Sequence, residues 1–430
     1  MRWILTLVAL VVVLVPSVTA EEKALQELPL DERLEKAAKW LASRQRGNGT
    51  WTRVIPDPAR YVSSNKAQRW EPESQKRPPF GVTLFVLYTL LESGYTPKDR
   101  VIKNGHKWVL ENCQYTQMWH AKSGKDTKDN PNMSTYDISA MLMYLEARYR
   151  STRKKQPLSD NPTKPPKWNK IPKDEWRLLN ASVVYLTRGV APAPRRAGFK
   201  GCQNINGLWR YGQRRPKNAD SHATHFVLTG LRAAARAGYP VRNEVWLNAL
   251  KGLRITFRGS SGGYAYERAG AARIQTTAAV VAGLHICHEQ LLAAGVEVPK
   301  WLPLNLKNGL KVMDDKYYVG RLDLRRAPAV GERGTIRRGL LDPLGARGNV
   351  DPIYFTNYLW TIEQLEALTG REQFRGENWH AARRETLLAV QEESGAFDDW
   401  TMVEPKQILA TCFALHFLKR TTPPPKKPAR

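Results

Sequence analysis

After residue 20 the chain has no apolar run able to cross a bilayer, which takes about 20 residues of helix. Cysteine is scarce: Cys113, Cys202, Cys287 and Cys412 are the four in 430 residues, and no two form a CxxC pair. That excludes a disulfide scaffold, although an oxidising compartment leaves two disulfides open. Acid is short as well, with 40 Asp and Glu against 67 Lys and Arg and a formal charge of +27. Such an excess draws acidic polysaccharide, anionic lipid or nucleic acid, or else coats a surface that has no single partner.

The N-terminus, by contrast, has a leader. Arg2 precedes the apolar run Ile4–Val15, and Val18 and Ala20 stand before Glu21 as small residues suited to signal cleavage. The expectation is an exported protein, periplasmic or secreted, with residues 1–20 removed and at most peripheral membrane contact. An uncleaved anchor is the alternative. Export sets nucleic acid aside, and oligomeric state is not legible.

Six runs share one character, small or apolar with few charges in their first turns. They begin at Gly81, Ser134, His222, Gln275, Tyr354 and Ile408, so the starts lie 53, 88, 53, 79 and 54 residues apart. Two basic insertions, at about 150–177 and 321–349, account for the long intervals. A recurrence of this length is the mark of a repeat architecture. Amphipathic helices of a second kind alternate with these runs: Asp31–Arg44, Lys98–Asn112, Lys173–Thr187, Asn243–Thr256, roughly Leu304–Met313 and Glu377–Val390.

Several of the second kind end in the same way. Gln45 is followed by Trp51 in "RQRGNGTW", Gln114 by Trp119, and Gln391 by Gly395 and Trp400 in "QEESGAFDDW". Weaker copies surround Trp209 and Tyr264. Glycine permits the left-handed turn that ends a helix, and the aromatic ring then packs back while glutamine or indole satisfies exposed backbone. An apolar helix is stable only when surrounded. The pattern therefore predicts an all-α fold, a single (α/α)6 toroid or barrel over residues 21–420 with six apolar helices inside six amphipathic ones, followed by a Pro/Lys-rich tail at 421–430.

The glutamine-to-tryptophan corners resemble the repeat of the squalene cyclases and, more broadly, the toroids of the terpenoid cyclases and protein prenyltransferases. The resemblance covers about Asp31 to Arg420. It implies an isoprenoid-like or other apolar ligand in a central cavity whose mouth is lined by the first turns of the inner helices. Two departures bound the implied chemistry. No DxDD segment is present to protonate an alkene, and no D-x-C is present to hold a prenyltransferase zinc. The same toroid also serves polysaccharide lyases and hydrolases, so an acidic glycan is the second expected ligand and a non-catalytic binding toroid the third reading.

Candidate residues follow from that mouth. Asp220, His222 and His225 in "DSHATH" form the densest cluster, a carboxylate beside two imidazoles and so a candidate acid/base group, while Asp220 equally suits a helix N-cap. Tyr136 and Asp137 are the next catalytic candidates, with Asp137 matching a capping box from Ser134. Tyr354, Asn357, Gln275 and Thr276 are candidate ligand-binding residues. His285, Cys287 and His288, and Cys412 with His416, lie deep in apolar runs and read as core. Neither a metal nor another cofactor is expected, and the residues leave catalysis and simple binding both open.

Overall fold

The computed structural model describes residues 28–51, 80–113, 134–150, 170–187, 207–210, 220–259, 262–267, 270, 272–316, 355–374, 376–389, 391–397 and 406–425. Residues 1–20, Gln114, Trp119, Cys202, Tyr354, Trp400, the insertion at 321–349 and most of that at 150–177 lie outside the described residues. Within them the chain forms twelve helices: α1 Leu30–Ser43, α2 Phe80–Glu92, α3 Arg100–Asn112, α4 Thr135–Tyr149, α5 Lys173–Thr187, α6 Ser221–Arg236, α7 Asn243–Arg254, α8 Ile274–Ala293, α9 Leu302–Lys316, α10 Phe355–Thr369, α11 Trp379–Leu388 and α12 Lys406–Lys419. Two antiparallel hairpins of two-residue strands interrupt them, β1 Phe257–Arg258 with β2 Gly263–Tyr264, and β3 Gln373–Phe374 with β4 Glu377–Asn378. The fold is all-α, and no helix among the described residues is long and apolar enough to cross a membrane.

The even-numbered helices are the apolar runs, and most of their length is buried. In α2 the whole stretch Thr83–Leu90 is buried, and in α8 so is Ile274–Leu284. A helix without a polar face needs neighbours all round. These six find them in one another: α2 touches α4, then α6, α8, α10 and α12 follow in chain order, and α12 returns to α2. The contacts thus make a closed cycle. The amphipathic helices pack outside it, with α1 against α12 and α2, α3 against α2, α5 against α4 and α6, and α7 and α9 against α8. Trp379 and His380 of α11 pack on Phe417 of α12.

Three of the corners tie one amphipathic helix to the next. The Trp51 indole donates to Leu41 O at 2.6 Å and the Trp209 indole to Leu186 O at 2.8 Å, each satisfying a carbonyl of the helix just ended. Gln45 reaches forward to Val101 O of α3 at 2.8 Å, while Gln391 reaches Arg33 O of α1 at 3.1 Å and so joins the last unit to the first. The corner glycines are required by the same contact. Gly49, Gly207 and Gly395 have φ of +88°, +85° and +93°, and a Cβ on them would meet Asn104 O at 2.6 Å, Asn248 O at 1.7 Å and Lys36 C at 2.8 Å. Those atoms belong to α3, α7 and α1, the following outer helix in each case.

A third repeated element escaped the sequence. Thr224, Thr277 and Thr411 of inner helices accept the backbone N–H of Trp209, Tyr264 and Phe397 at 3.0, 3.0 and 2.9 Å, docking each corner on its inner helix. Some expected boundaries are corrected. The segment expected to open α11 at Glu377 is strand β4; Gly376 turns the chain with φ +77° and Asn378 caps the helix through Ala381 N. The helix expected to reach Thr256 ends at Arg254, because Thr256 O accepts from Ala265 N beside the hairpin. Among the described residues Cys113, Cys287 and Cys412 are free and buried, so no disulfide joins any of them.

Candidate functional site

Inside the cycle, side chains lie in layers from the N-terminal turns of the inner helices to their C-terminal ends. The first layer is the rim. Asp137 and Ser134 complete the capping box, with Ser134 N donating to Asp137 Oδ2 at 2.6 Å and Asp137 N to Ser134 Oγ at 3.2 Å. Asp220 is the N-cap of α6, its Oδ1 accepting from Ala223 N at 2.6 Å. Burial raises the Asp220 carboxyl to about 6 against the opposing pull of that bond, the Tyr266 phenol and Arg210. Both aspartates thus cap a helix through backbone N–H groups.

His222 and His225 share a face of α6 but differ in depth. The His222 ring lies 5.8 Å from Tyr266, and burial, then the charge of Arg273, lowers its pKa to about 4. His225 is 3% exposed and is lowered to about 3 by burial first and His222 second. Its ring faces inward, 6.4 Å from Trp360. Both imidazoles are neutral near pH 7, and a base with so low a pKa is a weak proton acceptor. Gln275 and Thr276 are buried in the first turn of α8, and Asn357 is half-buried in the first turn of α10. Tyr354 lies outside the described residues.

Beneath the rim is an aromatic layer that sequence reading did not pick out. Phe85 of α2, Phe226 of α6, Trp360 of α10 and Phe413 of α12 meet across the cycle. Phe85 lies 5.9 Å from Phe226, 5.6 Å from Trp360 and 4.9 Å from Phe413, and Phe226 lies 5.4 Å from Trp360. Tyr136, proposed from the sequence as catalytic, stands edge-on to Phe226 at 5.0 Å and so belongs to this layer's margin. Tilted and edge-to-face rings at such separations are favourable contacts.

One turn deeper the interior becomes polar. Thr229 donates to Gln364 Oε1 at 3.1 Å, and Thr89 Oγ1 meets His416 Nε2 at 3.0 Å. His416, expected as core, is indeed fully buried, and burial lowers its pKa to about 3. At the far end charges pair: Arg150 with Glu92 at 2.7 Å, Arg232 with Glu289 at 2.7 Å, and Arg420 with Glu366 at 3.1 Å. Across that end runs the segment after α12. Thr422 donates through N and Oγ1 to Glu363 at 2.8 and 2.6 Å, and Arg232 Nη2 donates to Pro423 O at 2.8 Å. Burial raises Glu363 to about 8 despite those donors.

Among the described residues no three metal-ligating side chains come together. His285, taken from the sequence as a satisfied core histidine, is only half-buried, and its Nε2 has no partner. The aromatic layer was hidden because Phe85 and Trp360 lie far apart in the chain and look like ordinary helix packing; only closure of the cycle brings them together. No protein-family model matches the chain, and no curated protein matches it significantly.

Proposed function

We propose that the protein is an exported (α/α)6 toroid, similar in its repeat to the squalene cyclases and prenyltransferases, that binds an apolar, isoprenoid-like molecule from the N-terminal mouth of its inner ring. The observation that carries this reading is the aromatic layer, in which Phe85, Phe226, Trp360 and Phe413 from four inner helices form a floor one turn below the rim. A pocket of apolar and aromatic walls with few polar groups suits an apolar guest. The neutral state of His222 and His225 keeps charge out of the same space. Binding is favoured over turnover, because Asp137 and Asp220 both serve as caps and the histidines are weak bases.

The test is mass spectrometry of small molecules extracted from the purified mature chain, beside a Phe226→Asp variant that keeps its helical circular dichroism. An apolar molecule retained by the wild type and absent from the variant supports the reading; an empty wild-type protein that ignores added geraniol refutes it. One observation favours a second reading. His222 lies near Tyr266 and Arg273 at the rim of a chain with charge +27, a grouping suited to an acidic glycan. Release of unsaturated uronic oligosaccharides from such a glycan would replace the first reading with this one.

A further inference from the structure

The interior holds three polar atoms without partners in one small region. Trp360 Nε1, Gln364 Nε2 and His225 Nε2 each lack a hydrogen-bond partner, although their residues are 1%, 1% and 3% exposed, and the Gln364 side chain lies close enough to His225 to offset part of the burial that lowers its pKa. An unpaired buried polar group costs about 1–3 kcal/mol, so such groups are normally satisfied. These three are brought together by register. His225 and Thr229 stand one turn apart on α6; Trp360 and Gln364 stand one turn apart on α10. His225 opposes Trp360 with ring centroids 6.4 Å apart, and Thr229 opposes Gln364 at 3.1 Å. Because α8 sits between α6 and α10 in the cycle of contacts, these pairs meet inside it.

The helix between them is built from small residues. Thr277 and Val281 of α8 face outward, the first bonded to Tyr264 N of the hairpin and the second lying beneath Gly309 of α9. At about 100° per residue, the opposite face at this level carries Ala279. Ala279 is the sixth residue of α8, as Phe85, Phe226 and Trp360 are of α2, α6 and α10. An alanine therefore stands at the level where those three helices place large rings.

We infer that this region is a binding site for the neutral oxygen of an apolar ligand, a hydroxyl or carbonyl group held by Trp360, Gln364 and His225 while the ligand's body lies on the aromatic layer. The indole N–H is a donor only, the free atom of the Gln364 amide is a nitrogen, and a neutral imidazole nitrogen donates or accepts according to tautomer. An oxygen complements all three. These three groups bring no formal charge, so a phosphate or carboxylate finds no counter-ion among them, whereas an alcohol or ketone does not need one. The inference rests on the proposed binding of an apolar molecule and names the chemistry of its polar end.

The experiment compares geraniol with myrcene, a hydrocarbon of similar size, by titration calorimetry on the purified mature chain, using wild type, Gln364→Leu and Trp360→Phe with their helicity checked by circular dichroism. The hydrogen bonds recovered at these groups make geraniol bind more tightly than myrcene, by about tenfold or more, in the wild type. That ratio falls toward one in each variant that remains folded. Equal affinities in the wild type, or a ratio unchanged in both variants, overturn the polar site and leave apolar binding standing. If neither molecule binds, the proposed function itself fails and the site with it.

Discussion

Replacing Gln391 by leucine should open the molecule at one seam. The side chain joins the last unit to the first: its Oε1 accepts from Arg33 Nε at 2.9 Å, and its Nε2 donates to Arg33 O at 3.1 Å and Gly395 O at 3.0 Å. Leucine keeps the volume and removes all three bonds. Arg33 is 5% exposed, so its guanidinium loses a partner that water replaces poorly, although Leu388 O still accepts from it. Three bonds at about 1 kcal/mol each, one of them charged, give a loss of about 3 kcal/mol. Gln45 is the natural control. It makes two bonds, to Val101 O at 2.8 Å and Gly49 O at 3.2 Å, in a half-buried corner, so Gln45→Leu should cost about 1 kcal/mol.

Native-state hydrogen exchange reads the difference in place. Three kcal/mol corresponds to about a hundredfold faster exchange, and it should appear in α1, which the seam holds, while α7 and α8 on the opposite side stay protected. Urea unfolding should show the larger loss for the Gln391 variant. Acceleration spread evenly over all helices, or a Gln391 cost no greater than that of Gln45, would refute the idea that this corner closes the cycle.

Other perturbations follow from the same geometry. Gly207→Ala combines a φ of +85° with a Cβ placed 1.7 Å from Asn248 O, so it should destabilise by about 3 kcal/mol or more, visible as a lower urea midpoint, whereas Gly376→Ala, with open space around it, should show only the cost of its positive φ. His225 and His416 are held near 3 in the folded chain, so the unfolded chain binds more protons below about 6.5 and their contribution is lost as pH falls through that window. The urea midpoint should therefore drop more steeply between pH 6.5 and 4 in wild type than in His416→Gln; identical slopes would refute it. Glu363 runs the other way. Held near 8, it carries a proton in the folded chain that the unfolded chain has released above about 4.5, so its contribution is lost as pH rises through 8, and Tm should fall from pH 7 to 9 in wild type but not in Glu363→Gln.

Legibility followed chemistry that is local in the chain. The corner after α1 could be read because glycine with positive φ, glutamine and tryptophan each do something few other residues can, and Gly49, Gln45 and Trp51 all serve the same helix end. The two caps were readable for the same reason, since Ser134 with Asp137 and Asp220 with Ala223 act within three residues. The docking threonines recur just as regularly, 15, 13 and 14 residues after the corner residues they hold, yet threonine is so common in helices that the spacing alone does not single them out. What lies across the cycle has no local signature. His222 and His225 are three residues apart and look like one cluster, but α6 places the first beside Tyr266 at the rim and the second against Trp360, which is 135 residues further along the chain. Whether a polar residue on an apolar helix is rim or interior is decided by which distant helix faces it. For that reason His225, Trp360 and Gln364 gain a shared meaning only when α6 and α10 are seen to meet with the small residues of α8 between them.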